Sequence, residues 1–292
     1  MSAPVIVVHA GAGGLSDDLR EQEAECRAAL EHALRAGAAA LETGGAVDAA
    51  CAAVMIMEGF PLFNAGYGSV LCSDGSVEMS AAVMRGSDRA AGAVAMMRRT
   101  RHPIAAARSL LDAPPVMLAG ERADAHAVKQ GLEQHDPEEF VTDRQRRRLE
   151  RWLSRRVEAD RGTVGAVCLD GQGLLAAATS TGGRLGQRPG RVGDSPLIGA
   201  GTWADARVAV SCTGAGESFI RAGASRLLGA LVAHGVALED AARTVLAEVA
   251  ECDGVGGLIA VDAEGDVTTP FSTEAMPRGT LRLGEAPAVE IP

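Results

Sequence analysis

Gly162-Thr163-Val164-Gly165-Ala166-Val167, with Ala178-Thr179-Ser180-Thr181-Gly182-Gly183 close behind it, is the stretch whose reading decides the fold. A threonine directly after a glycine opens an apolar run. Cutting the Gly162–Thr163 bond would give Thr163 a free α-amine beside its hydroxyl, a nucleophile and its own general base in one residue. The plainer alternative is a strand that happens to begin with threonine, a residue that sheets favour. Asp170-Gly171-Gln172-Gly173 lies between the two runs and signals a hairpin turn. A two-residue loop at Gly171-Gln172 pairs Asp170 with Gly173 and sets Thr163 opposite Ser180. One residue of slack brings Thr179 or Thr181 beside it instead, so local geometry delivers a second hydroxyl to Thr163.

Outward from this hairpin, short apolar strands and glycine turns are separated by small-residue helices. Residues 5–8 read as a strand entering the turn His9-Ala10-Gly11-Ala12-Gly13-Gly14. A helix is expected over 17–42, started near Asp17, with Ala24, Ala28, Ala29, Leu34, Ala38 and Leu41 as its apolar face. A more buried helix follows over 46–58. Strands at 77–84 and 90–96 lead to a helix at 102–112, where Pro103 suits the first turn. The Arg-, Glu-, Asp- and Gln-rich segment 136–162 reads as an exposed connector between two halves, with Arg146-Arg147-Arg148 coating a solvated helix. Beyond it, strands are expected at 163–169, 174–180, 208–212, 257–261 and 266–270, and helices at 216–234 and 237–251. Strands clustered apart from helices favour a layered α+β architecture over βαβ units.

Composition narrows the class. With 292 residues, 47% of them hydrophobic, the chain can bury a substantial core in one large domain or two. A net charge of −10 argues against nucleic acid as a partner. No apolar run reaches the roughly 18–20 residues that span a bilayer, and the first residues lack a signal-peptide pattern, so the chain reads as cytoplasmic. Cys26, Cys51, Cys72, Cys168, Cys212 and Cys252 stand singly and read as buried, reduced thiols. No P-loop, H-E-x-x-H or G-x-S-x-G motif occurs.

Two further loops carry chemistry. Pro189-Gly190-Arg191-Val192-Gly193-Asp194-Ser195-Pro196 sets a guanidinium near a carboxylate, the pair that a free amino-acid head group needs. A surface turn with an internal ion pair is the alternative. Cys212-Thr213-Gly214-Ala215-Gly216-Glu217 ends a strand and opens a helix, where backbone N–H groups and the Thr213 hydroxyl could form an oxyanion hole. His9 reads as structural, because no other histidine falls in a motif to complete a Ser-His-Asp arrangement.

From residue 5 to about 280, these motifs and Phe63-Asn64-Ala65-Gly66-Tyr67-Gly68 follow one another as in the plant-type L-asparaginase/isoaspartyl peptidase family, N-terminal nucleophile (Ntn) hydrolases that the chain resembles. The resemblance implies a four-layer αββα sandwich and self-cleavage between Gly162 and Thr163. The products are an α subunit (1–162) and a β subunit (163–292) forming one structural domain, assembled as a dimer of αβ heterodimers. It implies hydrolysis of L-asparagine and β-aspartyl dipeptides, with Thr163 as nucleophile and its α-amine as base. Thr181 would tune Thr163. Arg191, Val192, Gly193, Asp194, Ala215 and Gly216 would line the substrate site, Thr213 and Gly214 would hold the oxyanion, and Asn64 would support the nucleophile. No cofactor is required, but a loop matching 57–67 would bind structural sodium through the backbone carbonyls of Met57, Glu58, Phe60, Phe63, Ala65 and Tyr67. A glycosylasparaginase-like amidase of the same fold, and an uncleaved binder of aspartyl ligands, are the alternatives. Ala10, Ser80, Ser272, Ala275 and Pro277 depart from the family pattern, and the connector is short. Ala10 is expected to stiffen the first turn if its φ must be positive.

Overall fold

The computed structural model describes residues 3–13, 21–155 and 162–291. Its strands are β1 (Val5–His9), β2 (Met79–Arg85), β3 (Ala91–Met97), β4 (Met117–Ala119), β5 (Val164–Leu169), β6 (Leu175–Thr181), β7 (Thr202–Ala204), β8 (Val208–Gly214), β9 (Gly256–Asp262), β10 (Val267–Thr268), β11 (Arg278–Arg282) and β12 (Ala288–Glu290). Eight form one sheet in the order β12-β11-β1-β5-β6-β2-β3-β4, and four form a second in the order β10-β9-β8-β7. Every pairing is antiparallel except that of β3 with β4.

The period-two alternation of the strands decides which layer each side chain enters. In β1, Ile6 and Val8 pack on α1 (Glu23–Thr43) and α2 (Ala46–Glu58), while Val5 and Val7 face the second sheet. In β6, Ala176 and Ala178 face the helices, and Leu175 and Ala177 face inward. Outside the second sheet lie α7 (Ala224–Ala233) and α8 (Leu238–Glu251), whose Leu228, Ala241, Val245 and Val249 close the inner core. The layers therefore run helix, sheet, sheet, helix. Each of Val5, Ile6, Val7 and Val8 is fully buried, which stabilises by about 1.5–3 kcal/mol per side chain against a backbone ordering cost of about 1–2 kcal/mol per residue.

Several local expectations shift. Most of α1 is as expected, but Ala24 and Ala28 are exposed, and its buried face is Cys26, Ala29, Leu30, Ala33, Leu34, Gly37 and Leu41. Alanine is a good helix former on a surface, so it marks a core face poorly. The start near Asp17 falls outside the described residues. The helix expected at 102–112 is only α3 (Pro103–Arg108). The one expected at 216–234 breaks into α6 (Gly216–Ala222) and α7, because Gly223 takes a left-handed φ of 58°. Short β4 and the polar helix α4 (Glu121–Lys129) carry weak periodic signals and were not foreseen, nor were β7, β11 and β12. Cys252, at the end of α8, is only half-buried, while the other five thiols are buried.

The connector is not simply exposed. It contains a 3-10 turn at Pro137–Phe140 and α5 (Asp143–Arg155). Phe140, Gln145 and Leu149 are buried, and Trp152 packs against the core. Gln145, Leu149 and Trp152 recur at helical spacing, so one face docks while Arg146 and Arg147 face solvent.

The hairpin register also differs by one. Asp170 N donates to Leu174 O, and Gly173 N donates to Asp170 O, so the loop has three residues with Gly173 at φ 80°. Val164 therefore pairs with Ser180, and the same register sets Thr163 beside Thr181. The turn is locked at its root. Asp170 Oδ1 accepts the Gln172 and Leu174 N–H groups, and its Oδ2 accepts from Ala46 N at the start of α2.

Candidate active site

At one end of the sandwich the alternation brings hydroxyls together between the sheets. Thr163 Oγ1 donates to Thr181 Oγ1 at 3.3 Å, and Thr181 Oγ1 donates to the Gly162 carbonyl at 3.0 Å. Asn64 Nδ2 donates to the same carbonyl at 2.7 Å and to Gly183 O at 2.7 Å, while its Oδ1 accepts from Val70 N. The peptide bond before Thr163 thus has two donors on its oxygen and a hydroxyl one residue away. That is the arrangement that polarises a carbonyl toward attack. Thr163 and Thr181 are both buried, so these bonds form away from bulk water.

Behind this group runs a chain of buried polar side chains. His9 Nδ1 accepts from Gly11 N, which leaves its proton on Nε2, 3.0 Å from Ser211 Oγ. Ser211 Oγ bonds Thr179 Oγ1 at 2.8 Å, and Thr202 Oγ1 lies 2.7 Å from Thr179 Oγ1 and 3.0 Å from Ser195 O. Burial pushes the His9 imidazole down to about 3, against a hydrogen bond to the Thr163 backbone that favours the proton. His9 is neutral at physiological pH and supports β5, the strand that follows Thr163, as a structural histidine would.

Ala10 does not have a positive φ; the strained position is Gly11, at φ 108°. A Cβ on Gly11 would lie 2.9 Å from Gly162 Cα and 3.1 Å from Thr163 N. The glycine is therefore required at Gly11, next to the Gly162–Thr163 peptide, and alanine at Ala10 costs the turn nothing of the kind expected. Ser80 faces Thr181 across the sheet but only accepts weakly from Met96 N at 3.4 Å. Pro277 O accepts from Ala10 N, and Ala275 pairs with Gly13, so these two departures brace the same turn through their backbones. Ser272 instead bonds Gly256 at the root of β9.

A cleft opens on Thr163 and is lined by Gly162, Thr181, Arg184, Arg191, Asp194 and Glu217 among others. Gly193, Gly214, Ala215 and Gly216 also line it; Val192 and Thr213 do not. Thr213 is wholly buried one step behind, where its Oγ1 accepts from Ala12 N at 3.1 Å. Gly216 keeps the Arg191–Asp194 end of the cleft open, since a Cβ there would sit 2.8 Å from Arg191 Nη2 and 2.9 Å from Asp194 Oδ1.

Arg191 and Asp194 share the cleft but are not paired with each other. Arg191 holds Glu217 through two bonds, Nε to Oε1 and Nη2 to Oε2, both 3.0 Å. An incoming carboxylate has to displace Glu217 from that fork. Because Glu217 is largely exposed, the pair is worth at most about 1 kcal/mol. Glu217→Gln is thus expected to lower the KM for a carboxylate-bearing substrate by up to about fivefold, read from initial rates, and an unchanged KM would remove the competition.

Asp194 Oδ2 is buried with no hydrogen-bond partner among the described residues. Burial pushes the Asp194 carboxyl up to about 6, with Arg191 nearby pulling down and Glu217 pushing up. An ammonium group would satisfy the orphaned oxygen. Only the ionised carboxylate attracts it, so substrate KM is expected to rise about tenfold from pH 7 to pH 5. Asp194→Asn should give a high KM that is flat over that range. A wild-type KM that does not move between pH 5 and 7 would rule Asp194 out as the ammonium partner.

Gln187 was not singled out from the sequence, yet it fixes both arginines. Its Oε1 accepts from Arg184 N at 2.9 Å and Arg191 Nη1 at 3.3 Å, and its Nε2 reaches Arg191 O and Cys72 Sγ. The indole of Trp152 fills the space a Cβ would need at Gly186 in the same loop. Glu58 is a second buried polar group that was not foreseen in this role. Its carboxylate accepts from Ser180 Oγ at 2.6 Å and Ile104 N at 3.0 Å and meets His102 Nδ1 at 3.2 Å, which pins Ser180, between Thr179 and Thr181, from the helix side.

Sheets, layers and a threonine at the start of a buried strand define an Ntn-type hydrolase, and the comparisons agree. The chain belongs to the asparaginase family, whose model matches residues 2–291. It is 42% identical to the isoaspartyl peptidase of Salmonella typhimurium, over 100% of this chain and 99% of that one. It is 43% identical to the isoaspartyl peptidase of Escherichia coli, covering 100% and 97%. The human isoaspartyl peptidase/L-asparaginase is 39% identical, covering 97% and 94%.

Proposed function

We propose that this chain cuts itself between Gly162 and Thr163 and then hydrolyses the side-chain amide of L-asparagine and the isopeptide bond of β-aspartyl dipeptides. One observation carries the reading: the run from the Thr163 hydroxyl through the Thr181 hydroxyl to the Gly162 carbonyl. In self-cleavage, Thr163 Oγ1 attacks the Gly162 carbonyl carbon, and its proton moves to Thr181 as the Thr181 proton meets the developing oxyanion. The C–N bond breaks as the proton returns from the tetrahedral oxygen through Thr181 to the Thr163 nitrogen, the C=O re-forms, and an ester joins Gly162 to Thr163 Oγ1. Water hydrolyses the ester, leaving a Gly162 carboxylate and a free Thr163 α-amine.

In turnover the amine takes the Thr163 hydroxyl proton, and Oγ1 attacks the substrate β-carbonyl. Arg191 holds the α-carboxylate and Asp194 the α-ammonium, while Thr213 and Gly214 stabilise the oxyanion. Ammonia or an amino acid leaves with the proton, and water releases aspartate. Ammonia release from asparagine and aspartate release from β-aspartyl-glycine by the matured protein test the reading. No product from either would end it.

Sodium is the ion the loop 57–67 suits. Carbonyls of Glu58 and Arg101 crowd the place a Cβ would take on Gly66, and those of Phe60, Pro61 and Phe63 crowd Gly68. Such a cradle of neutral oxygens fits a hard monovalent cation. The carbonyls of Met57, Glu58, Phe60, Phe63, Ala65 and Tyr67 would hold it and stiffen the loop carrying Asn64. The melting temperature is expected to be higher in sodium chloride than in choline chloride at equal ionic strength; identical melting curves would dismiss the ion. The proposal extends to a dimer of αβ heterodimers, which native mass measurement reads directly. No helix among the described residues is long and apolar enough to cross a membrane.

A further inference from the structure

We propose that Arg184 forms a leaving-group subsite that reads the C-terminal carboxylate of a β-aspartyl dipeptide, and so sets a preference for such dipeptides over asparagine. The inference rests on the hydrolase reading above and adds the substrate class.

Arg184 lines the cleft, yet nothing in the reaction described above uses it. Its charge acts on the cleft, because it helps hold the Glu217 carboxyl below the usual range after the larger effect of Arg191. Among the described residues, no hydrogen bond or ion pair engages its guanidinium; its backbone alone is held, the N–H donating to Gln187 Oε1 and the carbonyl accepting from Gln187 N. Its starting point is fixed beside the chemistry. The preceding residue, Gly183, receives Asn64 Nδ2 on its carbonyl and gives its N–H to Thr181 Oγ1 at 3.0 Å, and those two side chains also grip the Gly162 carbonyl. The Arg184 backbone thus leaves directly from the nucleophile end of the cleft, with Gln187 Oε1 between its N–H and the Arg191 guanidinium.

Substrate charge decides what the arginine is for. A β-aspartyl dipeptide carries three charges: the α-ammonium and α-carboxylate of its aspartyl part, and the carboxylate of the residue that leaves. Asp194 and Arg191 answer the first two. The third lies beyond the scissile bond and calls for a cation at the nucleophile end. Asparagine releases ammonia, which has no carboxylate to be read. A charge-assisted bond from a planar guanidinium discriminates by about tenfold to hundredfold.

The test compares kcat/KM of the matured enzyme for β-aspartyl-glycine and for β-aspartyl-glycinamide, which differ only in the leaving group's carboxylate, with asparagine alongside. Wild type is expected to favour the acid over the amide by tenfold or more. In Arg184→Gln the ratio should fall to within about twofold, chiefly through KM, and Arg184→Lys should keep part of it. Appearance of two bands on a denaturing gel shows that each variant has folded and cut itself. A wild-type ratio near one, a ratio that survives Arg184→Gln, or an equal loss on all three substrates overturns the subsite while leaving the hydrolase reading intact. Wild-type inactivity on all three overturns both.

Discussion

Thr163→Ala is expected to remain a single uncut chain of 292 residues and to release no measurable ammonia from asparagine. Both results follow from one atom. In the proposed mechanism Oγ1 attacks the Gly162 carbonyl, and without the cut there is no α-amine to act as base. Removing a covalent nucleophile costs on the order of 10⁴-fold or more, because positioning and oxyanion contacts alone leave only residual catalysis. The methyl side chain fits the buried site, so the fold should persist, as circular dichroism and melting can show. Thr163→Ser keeps the hydroxyl and should still cut, more slowly, since serine lacks the branch that restricts χ1. Two bands from the alanine variant, or turnover without the hydroxyl, would overturn the mechanism.

The second large effect belongs to Thr181→Val, which keeps the shape and deletes the hydroxyl. That oxygen accepts from Thr163 Oγ1 and from Gly183 N and donates to Gly162 O. Without it the Gly162 carbonyl keeps only Asn64 as a donor among the described residues, and loss of one such donor is expected to slow self-cleavage by about 10²–10³-fold. The orphaned Gly183 N–H should also cost about 1–3 kcal/mol of stability. Pulse measurements of band appearance after synthesis read the rate, and Thr181→Ser should restore most of it. Self-cleavage at the wild-type rate in the valine variant would make the hydroxyl a bystander.

How far the sequence foretold this site depends on the range of each contact. The layered α+β fold and the meeting of Thr163 with a hydroxyl of 179–181 were legible, because alternation and a glycine-rich turn are local signals. The register was one residue off, because the turn length is set by Asp170, whose carboxylate also serves the start of α2. Gln187 and Glu58 escaped notice because an isolated glutamine or glutamate has no pattern. Their roles exist only once Arg184, Arg191 and Ser180 have been brought to them. The docking of α5 was available in principle from Gln145, Leu149 and Trp152, but the surrounding arginines hid the spacing.

One consequence follows from the order of the large sheet. Strands from before Gly162 and from after it are interleaved: β12 and β11, then β1, then β5 and β6, then β2, β3 and β4. Once the Gly162–Thr163 bond is gone, the molecule is two chains braided through one sheet, each completing the other's hydrogen-bond ladder. The uncut chain can refold alone at a rate independent of concentration. A cleaved protein, once unfolded, would have to find its other half by collision, with unpaired strand edges exposed meanwhile. Such a cut would therefore give the molecule a memory: its persistence would become a matter of how slowly it opens rather than of how readily it closes.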